Sequence, residues 1–354
     1  MAAMVIVNNP GDWGQVYAPL LHAPWHGWTP TDLIFPFFVF IVGVSITLSA
    51  RSHMPVTALL RRSAIIFGLG LLLALYPRFD LSTVRIMGVL QRLALCYLAA
   101  ALFFRAFREA GEEDRWQAAI GVSALILLAY WALLMFVPVP GGSAGDLTPS
   151  GNLGAWLDRT ILGEAHLWRS AKTWDPEGLL STLPAIATAL TGVAAGVIIT
   201  SERSQSEKVA FLIAGGGAAI AMGMVWGRSF PINKNLWTSS YVLMTSGIAS
   251  MVLAVCYWLL DAREHRLIVR PFVVLGSNAI VLFVASGLLV KTLVWIRVTG
   301  AAGTDITLLR YLYETCFQPY GASRNTSLAF ALANLLVLYG LCEFLYRKKW
   351  FLRV

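Results

Sequence analysis

A chain of 354 residues that is 57% hydrophobic and only 13% charged, with a mean hydropathy of +0.67, is too apolar for a soluble domain, in which roughly 25% of residues are charged. Its net charge of +8 does not point to nucleic acid, because the Lys and Arg residues stand in short clusters between apolar runs, where positive-inside topology and anionic lipid explain them. Cys96, Cys256, Cys316 and Cys342 show no CxxC or metal-ligand spacing, so no metal is expected and buried free thiols are.

Apolar runs near the roughly 20 residues that cross a hydrocarbon core recur from one end of the chain to the other. They lie at 33–50, 63–76, 84–104, 116–137, 179–199, 208–226, 238–260, 271–290 and 326–346, with no composition break long enough for a linker. The expected fold is all-α: a single polytopic transmembrane helical bundle over 1–354, with about nine full spans plus a truncated first helix. That first helix is Met1 to Val7, which at 1.5 Å per residue reaches only about 10 Å into a core of roughly 30 Å. It is expected to pack as the end of a helix whose beginning is missing.

Orientation follows from the cations. Arg51, Arg61 and Arg62, then Arg105, Arg108 and Arg115, then Arg203 and Lys208, then Arg263, Arg266 and Arg270, and finally Arg347, Lys348, Lys349 and Arg353 fall on one side of the bundle. That side, with the C-terminus, is assigned to the cytoplasm. Residues 8–32, 138–178, 227–237 and 291–325 then face outward, and within the last of these Asp305 to Phe317 has the apolar spacing of an interfacial helix.

The densest polar constellation runs from Asn8 to Trp13 and from His22 to Asp32, straight into the first apolar run. An imidazole there can take a proton from an attacking amine or hydroxyl; the plain alternative is anchoring tryptophans, solvated histidines and a helix cap at Thr31 or Asp32. Arg92 lies about eight residues into a run that starts near Val84 and so about 12 Å deep, which marks either a functional charge or a partner for Asp32 or Asp80. Asp175-Pro176-Glu177 reads as the start of the next helix, with Asp175 as N-cap, or as two carboxylates for an ammonium or sugar hydroxyls. Asn233, Lys234 and Trp237 offer donors and a stacking face for a sugar ring, or a snorkelling Lys beside an anchoring Trp. Asn278 and Asn334 read as interhelical hydrogen bonds, and Gly215 to Gly217 as close helix packing.

Five of these segments recur together in order. Asn8-Asn9-Pro10-Gly11, His22 to Phe38, Gly88-Val-Leu-Gln-Arg92, Asp175 to Pro184 and Pro231 to Ser240 closely resemble the bacterial branch of the heparan-alpha-glucosaminide N-acetyltransferase family. The resemblance implies a multi-pass enzyme of the bacterial inner membrane that takes an acetyl group from acetyl-CoA on the cytoplasmic side and delivers it to an amino-sugar or glycan amine outside. By motif, His22 matches the family's active histidine and Asn8 an asparagine beside it, while Asp32 and Arg92 match its conserved-pattern aspartate and arginine. Asp175, Glu177, Asn233, Lys234, Trp237 and Asn278 are expected to bind the acceptor or support the site. The chain departs from the family at its start, where a basic segment with an Asp-x-x-Arg-Gly pattern usually stands. The lipid bilayer is the implied surrounding, and a homodimer is one open arrangement. The alternative reading is a secondary transporter or exporter of sugars or amino acids, with Arg92, Asn278 and Asn334 along its pathway.

Overall fold

A computed structural model describes residues 1–49, 54–262, 269–300 and 303–351. Arg51, Arg263, Arg266 and Arg353 of the basic clusters lie outside the described residues. The described residues are mostly helical, and among them eight helices are long and apolar enough to cross a membrane, the first counted with the turn from Pro30 that leads into it. They include α2 (Ile34–Thr47), α3 (Val56–Leu75), α4 (Val89–Ala106) and α5 (Glu112–Phe136). The others are α7 (Thr182–Thr200), α8 (Gln205–Trp226), α9 (Ser239–Tyr257) and α13 (Arg324–Arg347).

The expected span 271–290 is not one straight helix. It is α10 (Val269–Ser277) and α11 (Ala279–Trp295), bent by 77°. The break falls at Asn278, which follows Gly276 and Ser277 and has the non-helical dihedrals φ −125, ψ 43. Asn side chains compete with the helix for backbone partners. Here the Asn278 amide donates to the Trp350 carbonyl at 3.1 Å, tying the break to the segment after α13. The interhelical bond expected of Asn334 is absent, because its amide turns back to Phe330 O in its own helix.

α7 is the hub, with 72% of its apolar window buried against 17% for α8. Its small residues explain why. A Cβ on Gly192 would stand 2.0 Å from Phe40 O, one on Gly43 of α2 would stand 2.0 Å from Ala189 O, and one on Gly196 would meet Thr47 Oγ1 at 2.2 Å. The two backbones therefore touch, which in a bilayer replaces the hydrophobic drive that lipid cannot supply. Of the glycine triplet in α8, only Gly216 packs this way, against Gly247 O, while Gly215 and Gly217 face open space.

The first segment, α1 (Ala2–Asn8), is a short helix whose Met4 and Val5 are buried with Val274, Leu275, Leu338 and Cys342. The expected interfacial helix begins later than its apolar pattern. Asp305–Thr307 forms β2, antiparallel to β1 (Arg297–Thr299), and α12 (Leu308–Cys316) follows, N-capped by Thr307 Oγ1. The long connection 138–178 contains α6 (Leu153–Leu162). Two thiols correct the expectation of burial: Cys96 and Cys342 are buried, but Cys256 and Cys316 are exposed.

Gly192→Ala is expected to lower stability in detergent by about 1–3 kcal/mol, the usual range for overpacking. Gly215→Ala should change it by no more than about 0.5 kcal/mol. Thermal unfolding of the two variants side by side checks this; equal losses would mean that the α2–α7 approach is not a tight backbone contact.

Candidate active site

Thr29-Pro30-Thr31-Asp32 begins a 3-10 turn, Pro30–Leu33, that leads into α2. Thr at the cap, Pro at the first position and an acid at the third are the residues such a start favours. Asp32 Oδ2 accepts from the N–H of Thr29 (3.0 Å), the hydroxyl of Thr29 (3.2 Å) and the N–H of Ala23 (3.0 Å). The carboxylate is 1% exposed, and it thereby draws the loop 22–29 back onto the helix start.

Its other oxygen meets the catalytic candidate. Asp32 Oδ1 lies 2.6 Å from His22 Nδ1 and 3.4 Å from Lys234 Nζ. A carboxylate only accepts, so Nδ1 carries the proton in that pair and the lone pair is left on Nε2. The imidazole is half exposed, with 51% of its side chain accessible, so a ligand can reach it. Lys234 Nζ stands 2.9 Å from Nδ1 and 3.4 Å from Nε2, and burial pushes its pKa down. An amine so placed can exchange a proton with the ring.

Lys234 arrives there on a turn built by Asn233. The Asn233 side chain is buried, accepts the Leu236 N–H at 2.8 Å, and faces His26 Nδ1 at 3.3 Å. Backbone pairing of Gly27 with Ile232 O, at 2.8 Å, joins this turn to the His22 loop. Gly27 has φ +96, a conformation that favours glycine. Burial lowers the His26 pKa.

A second ionic cluster lies beside the first. Arg85 binds both Asp175 and Glu177, its Nε reaching Asp175 Oδ2 at 2.8 Å. These opposite charges raise the Arg85 pKa against the opposing effect of burial, and Glu177 also acts electrostatically on Lys234. Asp175 is therefore not the cap of α7, which begins only at Thr182; its carboxylate has turned to Arg85 instead. Arg92 is 0% exposed. α4 starts at Val89, after an extended Gly88, so Arg92 occupies the first turn rather than a position eight residues deep. It pairs with neither Asp32 nor Asp80. It donates to Gly178 O at 3.1 Å and to Ser181 Oγ, and lies 5.0 Å from the Trp237 ring.

The structure thus brings His22, Asp32, Lys234 and Asn233 together, and places Asp175, Glu177 and Arg92 next to them. Trp237 is no stacking face for a sugar, being 1% exposed and packed between Phe35, Tyr241 and Arg92. Asn8 is exposed at the end of α1 with no side-chain hydrogen bond among the described residues; its neighbour Asn9 is the buried one, bonded to Val5 O and Ser286. Asn278 serves the helix break described above. Sequence reasoning missed Arg85, Ser181, Tyr241, whose hydroxyl donates to Asp32 O, and Asp158. Only Arg85 carried a signal, as a cation just ahead of an apolar run.

Asp158 on α6 is 2% exposed, accepts the Leu179 N–H at 2.8 Å, and burial near Asp175 pushes its pKa up to about 7 despite Arg92 and Arg159. The folded carboxyl thus keeps its proton where the unfolded one has lost it, so stability falls as pH rises from about 4 to about 7. Asp158→Asn keeps the acceptor and should remove that slope, raising stability at pH 7 by on the order of a few kcal/mol. Melting temperature against pH for the two proteins is the check, and parallel curves would refute the assignment.

Residues 1–140 match the family model of the heparan-alpha-glucosaminide N-acetyltransferase catalytic region, the part of the chain that contains His22, Asp32, Arg85 and Arg92. Two curated proteins named heparan-alpha-glucosaminide N-acetyltransferase are similar to the chain. The one from Mus musculus is 31% identical over 341 residues, 80% of this chain and 51% of its own length. That from Homo sapiens is 31% identical over 338 residues, 79% of this chain and 50% of its own. The chain spans about half the length of these relatives. With its motifs, its first 140 residues and about four-fifths of its length in agreement, the chain is a homologue of the heparan-alpha-glucosaminide N-acetyltransferases.

Proposed function

We propose that this protein is a membrane acyltransferase that moves an acetyl group from acetyl-CoA to the amine of an amino sugar, with His22 at the reaction centre. The observation that carries the proposal is the half-exposed imidazole held by a buried carboxylate, within the region that matches the family's catalytic model. Asp32 holds the ring so that Nε2 presents its lone pair. Nε2 takes the proton of the attacking amine as its nitrogen adds to the thioester carbonyl; the C–N bond forms, the C–S bond breaks, and the sulfur leaves as thiolate. Attack by Nε2 itself, with an acetyl-imidazole formed on the way, uses the same lone pair. Lys234 is positioned to return or remove the proton, with Asp32 and Glu177 acting on its charge and Asn233 building its turn.

Acetyl-CoA is the donor substrate in this proposal. The protein supplies an accessible nucleophilic nitrogen for its acyl end. The basic residues of the opposite end are largely engaged within the chain: Arg115 with the carbonyls of Phe107, Arg108 and Ala110, and Arg203 with Glu113. They therefore favour no particular seat for the nucleotide. Of the residues that the transporter reading sets along a pathway, Arg92 is buried against Gly178, Ser181 and Trp237, Asn334 bonds within its own helix, and Asn278 stands at the break between α10 and α11.

His22→Ala is expected to lower acetyl transfer to glucosamine by about 100- to 10,000-fold, with the protein still folded because the side chain leaves no closed cavity. His26→Ala should lose far less. Mass spectrometry of acetylated product after incubation with acetyl-CoA measures both. Full turnover by the His22 variant would remove the residue from the reaction.

The site is assigned to the outer side, on the distribution of basic clusters. Ser150 lies exposed in the same outward group of loops. A Ser150→Cys variant should react with an impermeant maleimide added to intact cells, and labelling from the cytoplasmic side alone would invert the topology.

A further inference from the structure

A cavity of about 800 Å³, lined in part by Arg85, opens between α3, α4 and α11. That size suits an organic ligand rather than an ion, since ligand pockets run from roughly 300 to 1,000 Å³. Its charge is one-sided. Arg78, Arg169, Lys291 and Arg297 line it together with Arg85, against the single carboxylate Asp80. Arg85 is neutralised by Asp175 and Glu177. Asp80 is occupied by the hydroxyls of Ser82 and Thr83 and the N–H of Ser82.

The remaining cations have no carboxylate in salt-bridge contact among the described residues. Three of them are held by uncharged groups instead. Lys291 donates to the carbonyls of Leu73 and Tyr76, Arg169 to Thr83 Oγ1, and Arg78 lies 5.8 Å from the Trp295 ring. Cations fixed in this way around a cavity keep their charge available for an anion.

One neutral group also waits for a partner. Gln91 lines the cavity and is only 2% exposed, yet its side-chain amide makes no hydrogen bond among the described residues. The amide is open to the cavity, where it can donate to or accept from a polar atom of a ligand. Gln91 sits in the first turn of α4, where Gly88 supplies no side-chain cap and the free N–H groups favour negative charge.

The rest of the lining is apolar: Leu73 and Leu90, with Phe283, Val290 and Val294 of α11. Val294 and Trp295 on α11 and Leu72 on α3 are also exposed, so the cavity mouth adjoins surface suited to lipid. α3 and α11 meet where Gly287 approaches Leu73, and the cavity occupies the space beyond that contact.

We infer that this cavity binds the phosphate head of an anionic lipid, with the phosphate among Arg78, Arg297, Lys291 and the start of α4, and an acyl or prenyl chain along α11. The inference rests on the cavity and its charges and is independent of the acetyl-transfer proposal.

The test is binding of dioleoylphosphatidic acid to the whole protein in neutral detergent, followed by native mass spectrometry and by melting temperature. Phosphatidic acid should bind saturably and raise the melting temperature, whereas dioleoylphosphatidylcholine should do neither. Arg78→Ala/Arg297→Ala, two exposed side chains whose loss spares the core, should weaken binding about tenfold, or 1.4 kcal/mol. If that variant does not fold, Gln91→Glu, which sets a negative charge in the cavity, should weaken it instead. Equal binding of phosphatidylcholine would overturn the role of the phosphate. Equal competition by inorganic phosphate would overturn the role of the chain. Stoichiometric displacement by acetyl-CoA would reassign the cavity to the donor, and unchanged binding by the folded variants would place the lipid elsewhere.

Discussion

A single buried carboxylate, Asp32, organises the end of the bundle that carries His22. A charge at the mouth of a membrane helix is tolerable only when it is fully paired. Asp32 is paired by two backbone N–H groups, the Thr29 hydroxyl, His22 and Lys234. Because these donors come from the 22–29 loop and from the turn between α8 and α9, satisfying one charge closes two segments far apart in sequence over the end of α2. The Tyr241 hydroxyl on Asp32 O adds α9 directly. The orientation of His22 is thus a consequence of how the carboxylate avoids being buried alone.

The scaffold beneath makes that meeting repeatable. α7 presents glycine and alanine to α2, so the two helices approach backbone to backbone, and a rigid α2 start fixes where Asp32 stands. α7 also carries Ser181 just before its first turn, which with Gly178 O receives Arg92 from α4. Trp237 stacks on that guanidinium and on Phe35. Arg92, read by itself, looks like a transport or catalytic charge. In the folded chain it joins α4, the segment before α7 and the turn before α9, and so holds the elements around His22 rather than facing a ligand.

The two ionic clusters divide their work by exposure. His22 is half exposed, while Arg85, bound to Asp175 and Glu177, lines the cationic cavity. One guanidinium facing two carboxylates leaves a negative charge over, and burial raises the Asp175 pKa. Arg78, Arg169, Lys291 and Arg297 line the same cavity without a carboxylate in salt-bridge contact among the described residues.

What the sequence determined by itself was the kind of protein and most of its spans. Length, apolar runs and charge placement are local properties, and a hydrocarbon core about 30 Å thick allows few answers to them. The motifs at the helix mouths likewise marked His22, Asp32 and Lys234 as residues of interest. Tertiary structure alone decided how they are used. Asn278 reads as an interhelical hydrogen bond within a continuous span, but the span breaks there and its amide takes the Trp350 carbonyl. Asp175 has the sequence of a helix cap, but Arg85, distant in the chain, offers its carboxylate a cation instead. Trp237 looks like a surface ring until Arg92 and Phe35 are packed against it. In each case the partner comes from another helix, so the energy that settles the residue's role is a long-range contact that no local pattern records.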